Sequence, residues 1–184
     1  MKLRISTLLI VLLAFIQTAA MATAGTITSA GVEKFITSME LLNQADEKNL
    51  LSDIDLDMND DFSDVISPSG KMIIFTTASE QLKSNPSDHT VLKNITKKSG
   101  FSSVSDWAHT GDNIMMVYMR TEMSAKEFEQ MKQLTPEMIA MIPQEQRQML
   151  KSAMSLMRAV ENVSQADIDT FAPYKKRFDD AMDD

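Results

Sequence analysis

Methionine is the residue type whose number and spacing in this chain could support chemistry. The sequence contains 16 methionines and no cysteine. Several methionines lie three or four residues apart, which places side chains on one face of a helix. These pairs are Met115 with Met119, Met119 with Met123, Met138 with Met141, and Met154 with Met157. Thioethers are soft ligands that favour Cu(I), but the same spacing suits a helical core, where methionine fills irregular gaps. We expect core packing for most of them.

Three methionines near the segment between Leu134 and Pro143 are exceptions. This segment is short and bounded by prolines, so it is unsuited to burying both of its sides. We therefore expect Met131, Met138 and Met141 to be partly exposed and to form an apolar binding face. The sequence predicts that this face binds a protein or an apolar ligand, and Cu(I) handling by the methionine clusters is the alternative.

An acidic stretch, Asp53 to Asp64, has some of the spacing of a calcium-binding loop. Counted from Asp53, carboxylates fall at loop positions one, three, five, nine and twelve. Position six, however, is Met58, whereas an EF-hand needs glycine there for its sharp turn. Position twelve is Asp64 instead of the longer bidentate glutamate. We interpret the stretch as a solvated charged loop.

His109 is the histidine with the most suggestive neighbours for hydrolysis. Ser105 lies four residues before it and Asp112 three residues after it, so one helix face could carry all three. That face is opposite the apolar stripe of the same segment and should be wet, whereas a working base needs a shaped pocket. The sequence also has no G-x-S-x-G or H-E-x-x-H motif. We expect a non-catalytic protein without a cofactor or resident metal, and a hydrolase with an unrecognised polar site is a second alternative.

The first 24 residues have the pattern of a cleavable signal peptide. Lys2 and Arg4 precede an uncharged apolar run that is too short to span a bilayer. Small residues then offer cleavage after Ala22 or after Ala24. Because an exported chain without cysteine has no disulfide, we expect a bacterial periplasmic or secreted protein with no membrane insertion after cleavage. Residues 25–184 are predicted to form a single helical domain.

The net charge of the chain disfavours some classes of binding partner. The chain has 26 acidic residues against 18 lysines and arginines, which gives a net charge of −8. Removing Lys2 and Arg4 with the signal peptide makes the mature chain more acidic still. Phosphate backbones and anionic lipids repel such a protein. We therefore expect no nucleic-acid partner, and the sequence leaves the oligomeric state open.

Apolar periodicity predicts an all-α fold, a small bundle of about six helices. The predicted helices cover residues 28–51, 68–83, 86–98, 104–123, 125–134 and 144–161, with a Pro-bounded helical turn at 136–143 and a final helix from Ser164 that Pro173 kinks or divides. A strand is the rival interpretation for residues 71–78, four of which are β-branched. Ser103 and Ser164 each begin a capping box. In the final helix, Ile168, Phe171, Phe178 and Met182 are predicted to face inward.

The segment from Val104 to Met123 has the most regular apolar spacing and is predicted to be the central helix. Trp107 and Gly111 should face the core. A glycine inside a helix costs about 1 kcal/mol relative to alanine. We therefore expect that another backbone, that of the first helix, packs close to Gly111.

Overall fold

The computed structural model describes residues 26–51, 66–67, 71–124 and 141–183, together with the isolated positions 126, 129 and 133. The predicted signal peptide and the acidic stretch Asp53 to Asp64 lie outside the described residues. The same holds for most of the predicted helix 125–134 and of the predicted helical turn 136–143. The predicted domain boundary after residue 24 therefore stays a prediction.

The prediction of a small all-α bundle is confirmed. The helices are α1 (Ser29–Glu47), α2 (Ile74–Leu82), α3 (Pro86–Lys98), α4 (Val104–Glu122), α5 (Gln144–Glu161), α6 (Gln165–Phe171) and α7 (Lys175–Asp183). A short 3-10 turn, Ala172–Tyr174, separates α6 from α7 at Pro173. Within the described ranges, the only β pairing is an isolated antiparallel bridge between Ile66 and Met72.

Two helix boundaries differ from the prediction. Helix α1 ends at Glu47, before the predicted Leu51, and the chain turns through Asn49, which has a φ of 53°. Helix α2 begins at Ile74, later than predicted, because Met72 is engaged in the bridge to Ile66. The chain therefore passes from the bridge at Met72 to the first residue of α2, Ile74, within two positions.

Local capping sets the ends of α3, α4 and α6. The Ser103 hydroxyl accepts a hydrogen bond from the Asp106 amide at 3.0 Å, and the Ser164 hydroxyl accepts one from the Asp167 amide at 3.1 Å. Both predicted N-caps are confirmed, since each satisfies a backbone donor that the first turn leaves free. Gly100 follows α3 with a φ of +86°, a conformation that favours glycine after a helix.

The core is centred on α4. Trp107 is buried, and its ring packs with Phe35 of α1 and Phe75 of α2, with centroid distances of 5.8 and 5.5 Å. Its indole Nε1 donates a hydrogen bond of 2.7 Å to the hydroxyl of Ser38, which is fully buried. This bond satisfies the polar atom of a buried tryptophan, which would otherwise destabilise the core.

Gly111 faces this aromatic cluster, as predicted. A Cβ placed there would lie 2.3 Å from Cε2 of Phe35 and 2.7 Å from Cδ2 of Phe75. The prediction that the first helix is a neighbour of Gly111 is confirmed, because Phe35 belongs to α1. The prediction that a backbone packs there is wrong, because the nearest atoms are those of side chains. Two aromatic rings fill the space that a side chain would need.

The C-terminal helices close the other side of the core. Phe171 and Phe178 are fully buried and pack edge to face at 5.4 Å. The Arg177 guanidinium binds Glu40 and Glu33 of α1, with contacts of 2.8 and 2.6 Å. Met182, predicted to face inward, is exposed, because the buried side chain of this turn is that of the preceding residue, Ala181, and successive residues of a helix point in different directions.

We predict that Gly111→Ala destabilises the protein despite its better helix propensity. Alanine gains about 1 kcal/mol in a helix interior, whereas overpacking a filled core costs about 1–3 kcal/mol. The contacts of a new Cβ with two rings fall below 3.0 Å, so we expect the overpacking cost to exceed the gain. Urea unfolding should show a lower midpoint for Gly111→Ala and little change for Ser105→Ala, an exposed position on the same helix. A Gly111→Ala midpoint at or above that of the wild type would contradict this packing.

Candidate functional site

A cleft of about 980 Å³ lies between α4, α5 and the start of α2. Its apolar lining includes Met72, Ile73, Met116 and Ala159. Its polar lining includes, besides hydroxyl and amide groups, the side chains of Lys71, His109, Asp112 and Arg158. Ten of the 14 lining side chains are polar, so the cleft is more polar than a typical small-molecule pocket, which is mostly apolar with a few polar groups.

Asp112 forms part of the cleft wall and caps α2. The carboxylate is buried; its Oδ1 accepts a hydrogen bond from the Phe75 amide at 2.8 Å, and its Oδ2 accepts one from the Thr76 hydroxyl at 2.6 Å. Ile73, the residue at the N-cap of α2, offers no side-chain acceptor. Helix α4 therefore supplies the negative group that the N-terminus of α2 lacks.

Burial raises the pKa of Asp112, because desolvation disfavours the charged carboxylate. The hydrogen bonds from Thr76 and Phe75 act in the opposite direction but do not reverse the shift. A carboxyl whose pKa is higher in the folded state holds its proton more strongly there. Ionisation of Asp112 therefore lowers the free energy of unfolding as the pH rises above the ordinary carboxyl value.

The prediction that Ser105, His109 and Asp112 share a solvent-exposed helix face is wrong for Asp112. Ser105 and His109 are exposed, but Asp112 points into the protein, because it lies on the side of α4 that α2 covers. In the part of the chain that the structure describes, His109 makes no hydrogen bond or ion pair. A general base needs a group that orients it, and this histidine has none among the described residues.

Two cations of the cleft are available to a ligand. Lys71 and Arg158 are both exposed, and neither forms an ion pair with a described residue. The cations of α7 behave differently, since Lys175 contacts Glu122 at 2.9 Å and Arg177 contacts Glu33. The cleft therefore combines apolar surface with two cations that form no ion pair among the residues that the structure describes.

The predicted apolar face of Met131, Met138 and Met141 is described only in part. Met131 and Met138 lie outside the described residues. Met141 is 86 % exposed. Its role in binding stays a prediction, and the cleft described above is a different surface.

The other methionine pairs pack largely in the core. Met115 and Met157 are buried, and Met119 and Met123 pack against the same core cluster. This packing accounts for their helical spacing without a metal. Among the described residues, no group of three or more histidine and carboxylate side chains converges on a metal position. Cu(I) binding by methionine sulfur stays an untested alternative.

None of the helices in the described ranges combines the length and apolar composition of a membrane-spanning segment. No protein-family model, curated protein or solved structure matches this chain. A function for the cleft must therefore be inferred from its own residues.

Sequence reasoning did not identify the cleft. Its lining residues extend from Thr26 to Asn162, and they meet only in the folded chain. One signal was available: Asp112 directly follows Gly111, the position at which the sequence predicts a close helix contact. A carboxylate on a core helix suggests a buried partner, but the sequence does not say which one.

We predict that Asp112→Ala lowers the free energy of unfolding by about 1–3 kcal/mol, since it leaves buried donors of α2 unsatisfied. Asp112→Asn keeps an acceptor for the Phe75 amide and should cost less. Because burial raises the pKa of Asp112, the stability advantage of the wild type over Asp112→Asn should be smaller at pH 7 than at pH 4. Urea unfolding at both pH values measures this. Equal stabilities of the wild type and Asp112→Ala would show that the cap contributes nothing.

Proposed function

We propose that this protein is a non-catalytic binding module that holds a small amphipathic anion in the cleft between α4 and α5. Such a ligand has an apolar body and one carboxylate-like head group. The observation that carries the proposal is that one cavity combines apolar side chains with two cations, Lys71 and Arg158, that have no ion pair within the described ranges.

The size of the cleft supports a small molecule as the ligand. Ligand pockets in proteins have volumes of roughly 300–1,000 Å³, and this cleft, at about 980 Å³, lies at the upper end. Met116 lines it with a partly exposed thioether side chain, and Met72 lies in its wall as a buried core residue. Methionine adapts to ligands of varied shape, so the cleft suits a flexible apolar body.

The charges support an anionic head group. In a chain of net charge −8, a lysine and an arginine that lack acidic partners among the described residues are available to an external anion. Arginine binds carboxylates with two parallel hydrogen bonds, and charge-assisted bonds are stronger than neutral ones. A neutral or cationic head group would lose this interaction.

The acid–base groups of the cleft support binding over catalysis. Both oxygens of Asp112 accept hydrogen bonds from α2, which gives the carboxylate a structural task. His109 is exposed and has no orienting partner within the described ranges. Neither group has the arrangement of an activated nucleophile and base.

We also propose that the protein acts outside the cytoplasm, in a bacterial periplasm or as a secreted protein. The support is the sequence pattern of the first 24 residues, with Lys2 and Arg4 before an uncharged apolar run and small residues at the expected cleavage sites. The absence of cysteine fits a domain that relies on its core instead of disulfides.

Isothermal titration calorimetry with decanoate, decanol and decylamine tests the proposed ligand class. We expect decanoate to bind more tightly than the other two. The double variant Lys71→Gln with Arg158→Gln should weaken decanoate binding at least tenfold, because each charged hydrogen bond contributes about 1.5–3 kcal/mol. Lys176→Gln, which removes an exposed lysine of α7, is the matched control and should leave the affinity within about twofold.

Two results would contradict the proposal. Equal binding of decanol and decanoate would mean that the cations of the cleft do not select the head group. Unchanged decanoate affinity in the double variant would place the ligand elsewhere, for example at the predicted face around Met141.

A further inference from the structure

A stripe of basic residues runs along α3, on a different part of the surface from the cleft. His89, Lys93 and Lys97, here called the basic stripe, follow one another at intervals of four residues and therefore share one face of the helix. They border a second cavity of about 510 Å³ between α3, the start of α4 and the end of α2, where Glu80 also lines it. Phe101 and Val104 contribute apolar surface to the same cavity.

The basic stripe has no acidic partner among the described residues. None of its three side chains forms an ion pair or hydrogen bond within the described part of the chain. Lys83, on the other side of the cavity, is paired with Glu80 at 2.6 Å. Like charges four residues apart destabilise a helix. Lys97 lies in the last turn of α3, where the helix dipole stabilises a positive charge. Lys93 lies one turn earlier and lacks this stabilisation.

The spacing of the stripe matches an extended peptide. Four residues of an α-helix rise about 6 Å, and alternate residues of an extended strand are about 6.6 Å apart. Carboxylates at alternate positions of a strand would therefore lie opposite His89, Lys93 and Lys97 in turn. The apolar wall at Phe101 and Val104 can contact the neutral residues or the backbone between them.

We propose that the basic stripe is a docking surface for an extended acidic segment of a partner protein, with aspartate or glutamate at alternate positions. Charge complementarity carries the proposal: Lys93 and Lys97 are two cations without a partner among the described residues, on a protein of net charge −8, and His89 adds a hydrogen-bonding side chain to the same face. A long, uniformly charged polyanion is disfavoured, because the rest of the surface repels it. A peptide with neutral residues between its carboxylates carries fewer negative charges, so the rest of the surface repels it less.

Fluorescence anisotropy with the labelled peptide Gly-Asp-Ala-Asp-Ala-Asp-Gly tests this proposal at low salt. The wild type should bind it, and the peptide with asparagine in place of aspartate should not bind. Lys93→Gln with Lys97→Gln should weaken binding at least tenfold, and added salt should weaken wild-type binding. The matched control is Lys98→Gln, since Lys98 lies on the same helix but borders another cavity; its affinity should stay within about twofold.

Circular dichroism verifies that the variants are folded, which is expected because the substituted side chains are exposed. Decanoate binding should be unchanged in Lys93→Gln with Lys97→Gln, so failure of this proposal is distinguishable from failure of the proposed function. Absence of peptide binding, or equal binding by the double variant, would overturn the proposal. Tighter binding of inorganic triphosphate with the same dependence on Lys93 and Lys97 would overturn it in favour of a phosphate ligand. Self-association that the double variant abolishes would overturn it in favour of a second copy of this chain.

Discussion

Gly111 lies at the point where α1, α2 and α4 approach one another. The rings of Phe35 and Phe75 occupy the space in which any side chain at this position would lie. These rings pack with Trp107, whose indole is in turn hydrogen-bonded to buried Ser38. The close approach of the helices therefore depends on a missing side chain, and the aromatic cluster that fills the space holds the first turn of α2 against α4.

The position of α2 determines the cleft. With Phe75 packed against α4, the first turn of α2 lies directly over Asp112, which accepts hydrogen bonds from Phe75 and Thr76. The carboxylate stabilises the helix start and at the same time contributes to the wall of the cavity. Lys71 and Met72, which precede α2, line the cavity as well. The binding surface is thus a consequence of how the core packs.

The sequence predicted the features that depend on nearby residues. The periodicity around Trp107 placed that side chain and Gly111 in the core, and local side-chain chemistry placed the cap at Ser103. It did not predict the role of Asp112, because the hydrogen bond to the Phe75 amide joins residues 37 positions apart. The cleft was missed for the same reason, since its lining belongs to separate segments that only tertiary packing brings together.

The central claim, that the cleft between α4 and α5 is the binding site, is tested most directly by NMR of ¹³C-methyl-labelled methionine during titration with decanoate. Met72 and Met116 line the cleft, whereas Met141 and Met182 are exposed elsewhere. We predict saturable shifts of the Met72 and Met116 methyl signals, with the Met182 signal unchanged. Shifts confined to Met131, Met138 and Met141, with Met72 and Met116 unperturbed, would contradict the claim and make the predicted methionine face the binding site.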